Sequence, residues 1–150
     1  QIINMKNISY RSGCPVANVL DLMGDKWSLL VIRDIFMEKN TYTVFLEGPE
    51  KISTNILSHR LKLLQELDLI GFRRDAKDKK IKYYFLTNRG IDLYPIIVEM
   101  GLWSMKHLNK SFADISYDWY EQFNTRTSAQ VIEENRDNYL TIRENLLAKE

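Results

Sequence analysis

The chain has 150 residues, 27% charged and 45% hydrophobic, with a formal net charge of +1. That composition is ordinary for one globular domain with a real core. No run approaches the roughly 18 apolar residues of a membrane span, no apolar run with a small-residue cleavage site marks a secretory leader, and a single cysteine excludes an intrachain disulfide, so a reducing, cytoplasmic setting is expected.

Residues 1–13 are polar and irregular and are expected to form an arm. Pro15 suits the first position of a helix, with Cys14 as its cap. Val16, Leu20 and Met23 then recur at helical spacing, and Gly24 ends the segment. Asp25 can cap the next helix, whose apolar face is Trp27, Leu30, Val31, Ile35 and Phe36. Core packing is the role expected of Trp27, with a ligand pocket as the alternative. Arg33 and Asp34 suggest an internal pair. A short helix from Tyr42 to Leu46 is stopped by Gly48-Pro49. Ser53 caps a helix running to about Leu67, with Ile56, Leu57, Leu61, Leu64 and Leu67 as its buried stripe. Gly71 closes the turn that follows. Phe72–Arg74 and Ile81–Leu86 form strands around a lysine-rich loop, and one of Tyr83 and Tyr84 packs inward. Thr87 caps a long helix through Trp103, in which Pro95 marks a kink or a late true start. A polar stretch near 109–118 precedes a last helix over about 124–148, with Val131, Ile132, Asn135, Tyr139, Ile142 and Leu146 on one face.

Charge is concentrated in one segment. Residues 51–90 carry ten Lys and Arg against four acids, a net of +6, which leaves about −5 for the rest of a +1 chain. A basic patch confined to one segment points to nucleic acid. On helix 53–67, the face opposite the leucines shows Ser53, Thr54, Asn55, Ser58, His59 and Lys62. These are short hydrogen-bonding groups early and a longer cation late, which is what a helix entering the major groove N-terminus first requires. Asn55 is the best base-reading candidate, because an amide pairs bidentately with adenine. Arg73, Arg74, Lys77, Lys79, Lys80 and Lys82 reach for phosphate or the minor groove from the hairpin. Lys26 at a helix start is a further phosphate candidate. The competing reading of the same residues is a capped helix and a solvated lysine edge.

Four pieces of the chain resemble the HxlR family of bacterial winged-helix regulators, cousins of the MarR regulators. They are Cys14-Pro15-Val16, Leu22–Asp34, Phe45–Leu61 and Leu86–Pro95, with Trp103 near the end of the following helix. The likeness covers about residues 14–107, in order and with compatible spacing. It implies a mainly α fold with a small β wing, an α+β winged helix-turn-helix with extra N- and C-terminal dimerisation helices. It also implies a homodimer on double-stranded DNA, with no catalysis and no cofactor. Symmetry then asks for a pseudo-palindromic operator with recognition helices about one helical turn apart or a little more. Residues 108–150 are an extension the family explains poorly. Segment 111–150 nets −4 and is expected to pack on the partner subunit rather than on DNA, and its cluster Tyr117, Trp119, Tyr120 and Phe123 could be a flap, a groove cover or a ligand cage.

Several relatives use a cysteine at the place of Cys14 to sense oxidants or quinones, and others carry it without a sensing role. A helix N-terminus favours thiolate, the form oxidants attack. Redox sensing through Cys14 and a purely structural cap both stand at this level. An enzyme is disfavoured: His59 and His107 are far apart, no acid or cysteine cluster has metal spacing, and no phosphate loop, nucleophile elbow or HExxH occurs. A winged-helix module for protein contacts is the remaining alternative. No effector is implied.

Overall fold

The computed structural model describes residues 8–149; the arm's first seven residues lie outside the described residues. The described chain is mainly helical with one two-stranded antiparallel sheet. It divides into two compact units, one ending at Ile91 and the other beginning at Asp92.

The first unit opens with α1 (Pro15–Met23), where Cys14 holds the N-cap position but its side chain makes no capping hydrogen bond. The expected cap is therefore a cap by position only. The Cys14 backbone N–H donates to Ser12 Oγ at 3.2 Å, Asn18 Nδ2 donates to Ser12 O at 2.8 Å, and Arg11 pairs with Asp21. Those contacts tie residues 11–14 to α1. Helix α2 (Ser28–Phe36) has Trp27, not the expected Asp25, at its N-cap position and no capping bond from that side chain; Asp25 braces the helix start from two residues upstream. Asp25 Oδ1 accepts from the backbone N–H of Trp27 and Ser28 at 2.8 and 2.9 Å, and Oδ2 accepts from Ser28 Oγ at 2.6 Å. Val31, Ile32 and Ile35 carry α2 into the core. Trp27 is half-buried beside Val31 and Phe45, around a hollow of only about 20 Å³. That is far below ligand size, so packing is its role.

Helix α3 (Tyr42–Leu46) is capped by Thr41, and α4 (Thr54–Glu66) by Ser53, whose hydroxyl accepts from Ile56 N–H at 3.4 Å. Leu57, Leu61, Leu64 and Leu67 are buried as the spacing predicts, and Ile56 is half-buried. The turn after α4 differs from expectation. Asp68 takes the left-handed conformation (φ 54°), and Gly71 lies inside β1 (Ile70–Arg74), paired with Phe85. A Cβ at Gly71 would meet the Phe85 ring at 2.6 Å, so glycine makes room for an aromatic across the strands. Strand β2 (Lys82–Leu86) buries Tyr84, whose ring lies 5.9 Å from that of Phe45 and whose N–H donates to Asn40 O at 2.8 Å.

The long helix expected after Thr87 is two helices. Thr87 Oγ1 does cap α5 (Asn88–Ile91), accepting from Gly90 N–H at 3.1 Å, and it also donates to Asp68 O at 2.7 Å. A Cβ on Gly90 would lie 2.1 Å from Leu69 O, so α5 sits on the start of the sheet only because the residue is glycine. The chain then breaks, and α6 (Tyr94–His107) restarts with Pro95 in its first turn. Proline lacks an N–H and clashes with the carbonyl four residues back, so a late start costs less than a kinked continuous helix.

In the second unit α6 packs on α8 (Ser128–Ala148), with Val98, Val131 and Tyr139 buried. Arg136 Nη2 donates to Asp92 at 2.9 Å. The polar stretch near 109–118 runs into a helix the sequence did not suggest, α7 (Asp114–Glu121), continued by a 3₁₀ turn over Gln122–Asn124. The last helix starts at Ser128 rather than near 124, because Thr127 and Gln130 form a reciprocal capping box. The Trp119 ring lies against Gly101 of α6, where a Cβ would meet it at 2.9 Å. Trp119 and Phe123 meet edge to face at 4.9 Å.

Candidate nucleic-acid interface

The first unit brings two polar surfaces together. On α4, Ser53, Thr54, Asn55, Ser58, His59 and Lys62 are all exposed, opposite the buried leucines. Three of these side chains are already engaged. The Ser53 hydroxyl is the cap, and Lys62 Nζ lies 4.0 Å from Glu66 Oε1 one turn on. Ser58 Oγ and the Tyr42 hydroxyl share a hydrogen bond at 3.2 Å, and that hydroxyl also bonds Thr54 O at 3.2 Å. Tyr42 thus clips α3 to the first turns of α4. Sequence reasoning gave it no role, because a tyrosine at the start of a short helix carries no periodic signal.

A cavity of about 720 Å³ separates α4 from β2, lined among others by Thr41, Tyr42, Ser58, Lys62, Lys82 and Tyr83. Beyond it stands the wing. Lys77, Lys79 and Lys80 are exposed on the loop, while Lys82 is half-buried with Nζ 4.3 Å above the Phe72 ring. Arg73 and Arg74, in β1, are engaged within the hairpin. The Arg73 guanidinium lies 5.0 Å above the Tyr83 ring and donates to Arg74 O at 3.2 Å. Arg74 Nη1 donates to Lys79 O at 2.7 Å. Tyr84 is the inward-packing tyrosine of the pair; Tyr83 is half-buried.

The orientation of α4 is fixed from behind. Arg60 Nη1 lies 3.4 Å from Asp25 Oδ2, so the carboxylate that braces the start of α2 also holds α4. Burial would raise the Asp25 carboxyl, but the hydrogen bonds from Ser28 and Trp27 and the Arg60 charge hold it below its ordinary value. This contact spans 35 positions, and nothing in the sequence pairs them. Arg33 and Asp34 do pair, at 2.8 Å, and Arg33 also grips Glu50 at 2.7 Å. Lys26 is exposed at the entry to α2, with Nζ 5.6 Å above the Trp27 ring. Cys14 is exposed. Among the described residues no group of three or more His, Cys, Asp or Glu is placed to hold a metal, and no helix is long and apolar enough to cross a membrane.

The HxlR-like helix-turn-helix family model matches residues 22–112, which takes in α4, the wing and α6 and leaves α7 and α8 beyond it. An uncharacterized HTH-type transcriptional regulator of Synechocystis sp. is 31% identical over 109 residues, covering 73% of this chain and 72% of that one. Among solved structures, the putative transcription factor PA1607 is similar at 29% identity and a TM-score of 0.61, over 69% of this chain and 73% of that one. A putative MarR-family transcriptional regulator from Porphyromonas gingivalis W83 is similar at 28% identity and a TM-score of 0.57, over 69% of this chain and 100% of that one. With more than half its length matched and a winged-helix fold, the chain belongs to the HxlR-like helix-turn-helix family, whose members are transcription regulators and not enzymes.

Proposed function

We propose that the protein is a dimeric, sequence-specific DNA-binding regulator that lays α4 in the major groove and the wing on phosphate or the minor groove. One observation carries this. An exposed, acid-free polar face on α4, from Ser53 to Lys62, stands across a cleft from an exposed lysine tip in the same compact unit. Short groups near the helix start suit base edges, and Asn55 is the residue assigned to read a base. Lysines on the loop suit phosphate, which adds affinity without sequence information. A second copy of the chain is the partner inferred for the apolar residues that each unit exposes, Val16 and Leu20 on α1 and Ile96, Met100 and Trp103 on α6. A two-fold dimer then reads a pseudo-palindrome.

The test is selection from random-sequence duplexes at two salt concentrations, with and without oxidant. An enriched palindrome supports the reading. Weak, salt-sensitive binding without enrichment would point to a non-specific binder, and no binding at either salt to a winged-helix module for protein contacts.

A further inference from the structure

Two acids stand where a surface built only to attract phosphate would have none. Asp75 and Asp78 lie in the wing among Lys77, Lys79, Lys80 and Lys82. Each carboxylate repels a phosphate backbone, and neither can donate a hydrogen bond to it. Loop 75–81 also contains no glycine and no proline, and its like-charged lysines oppose a compact turn.

The hydrogen bonds give the two acids another task. Asp75 Oδ1 accepts from the backbone N–H of Lys77 and of Asp78, both at 2.9 Å, and Oδ2 accepts from the Tyr83 hydroxyl at 3.3 Å. Asp78 Oδ1 accepts from the Lys80 N–H at 3.0 Å. The backbone closes the loop from both sides, Asp75 N–H to Ile81 O at 2.9 Å and Ile81 N–H to Asp78 O at 3.0 Å. The N–H of Asp78, then that of Lys77, hold the Asp75 carboxyl below its ordinary range. Three of the four partners of these carboxylates are thus backbone N–H groups, one of them on Lys77 and one on Lys80.

We propose that Asp75, seconded by Asp78, is a positioning residue for the DNA contact: it fixes loop 75–81 in one conformation, so that Lys77, Lys79 and Lys80 meet phosphate as a preformed set. This rests on the wing being a DNA surface. Its physical content is that ordering a mobile, rotamer-rich loop at the moment of binding costs affinity, and Asp75 removes that cost beforehand. The gain outweighs the repulsion of an exposed carboxylate, which solvent and salt screen.

The two effects have opposite signs, and that makes the inference testable. The parent chain, Asp75→Ala and Asp75→Asn are compared on a short mixed-sequence duplex across a salt series. Asparagine keeps an oxygen for the Lys77 and Asp78 N–H groups and removes the charge. Alanine removes both. Asp75→Ala is expected to bind roughly tenfold more weakly than the parent, in line with the ordering cost of a few side chains, and its salt slope to be shallower by about one phosphate. Asp75→Asn is expected to match or exceed the parent. Amide exchange should show the Lys77 and Asp78 N–H groups protected in the parent and in Asp75→Asn, and open in Asp75→Ala. If Asp75→Ala binds as tightly as Asp75→Asn or more so, charge alone governs the wing and the inference is overturned. If the parent itself does not bind the duplex, the DNA reading fails first and takes this inference with it.

Discussion

At the scale of single residues, the proposed interface assigns base reading and phosphate gripping to different positions. Asn55 is exposed in the first turn of α4, and Lys79 and Lys80 on the loop. Asn55→Ala is expected to cost about 1–3 kcal/mol on the preferred site and to relax preference at one base position. Lys79→Ala with Lys80→Ala should weaken all duplexes alike and flatten the salt slope by about two phosphates. Competition binding against single-base variants of the selected site distinguishes them, and identical behaviour of the two proteins would refute the division of labour. Cys14 calls for a different comparison. Its thiol is exposed and makes no capping bond. A serine there has a hydroxyl able to accept from the first turn, so Cys14→Ser should raise stability by about 0.5–1 kcal/mol. If the thiol senses oxidant, the same variant must lose oxidant-dependent DNA release while keeping DNA affinity. Release that persists in Cys14→Ser would end the redox reading.

At the scale of elements, the fold around the site was legible wherever one pattern governed one element. Leucine spacing placed the buried stripe of α4 and Ser53 its cap, because each signal acts within a few residues. The misses arose where two local rules competed or where a partner was distant. Gly71 looked like the turn residue, yet Asp68 takes the left-handed turn and Gly71 is needed opposite Phe85. At Pro95 the sequence offered a kink or a late start, and the late start is what the chain adopts. The aromatic run over 117–123 masked α7, whose Trp119 packs on the distant Gly101 as well as on Phe123. The Asp25–Arg60 tie joins α2 to α4 over a sequence gap no pattern spans. It also sets a pH prediction. Asp25 and Glu50 both have folded values below their ordinary 3.8 and 4.5, Glu50 through its hydrogen bonds to Arg33 above all. The unfolded chain therefore takes up these protons first as pH falls. Their stabilisation is fully present at neutral pH and is lost as pH drops from about 4.5 through the lowered values. Denaturant midpoints should fall across that range, and Glu50→Gln should flatten the acid limb. A limb unchanged in Glu50→Gln would show that the Arg33 pair does not contribute.

At the scale of the whole molecule, charge of opposite sign divides between different parts of the chain. The +6 of residues 51–90 lies in the first unit, and the −4 of residues 111–150 in the second. A −4 segment is a poor surface for a polyanion, and Trp103 of α6 in that unit is 59% exposed, with Ile96 and Met100 exposed beside it. A large aromatic left this open is an anchor of the kind that dominates interfaces. Trp103→Glu places a charge on that face while leaving α4 and the wing untouched. If α6 meets a second copy, light scattering should show the variant as a monomer at concentrations where the parent is a dimer. Its affinity for a single half-site should stay near that of the parent's first unit. Its affinity for the full palindrome should fall by about 100-fold or more, because the second half-site is no longer captured within one complex. The salt slope on the palindrome should fall from near −7, for about four wing cations in each of two subunits, to near −3.6. A Trp103→Glu protein that stays dimeric would move the interface off α6. One that becomes monomeric but keeps full palindrome affinity would show that the two half-sites are bound independently, which would remove the physical reason for a symmetric operator.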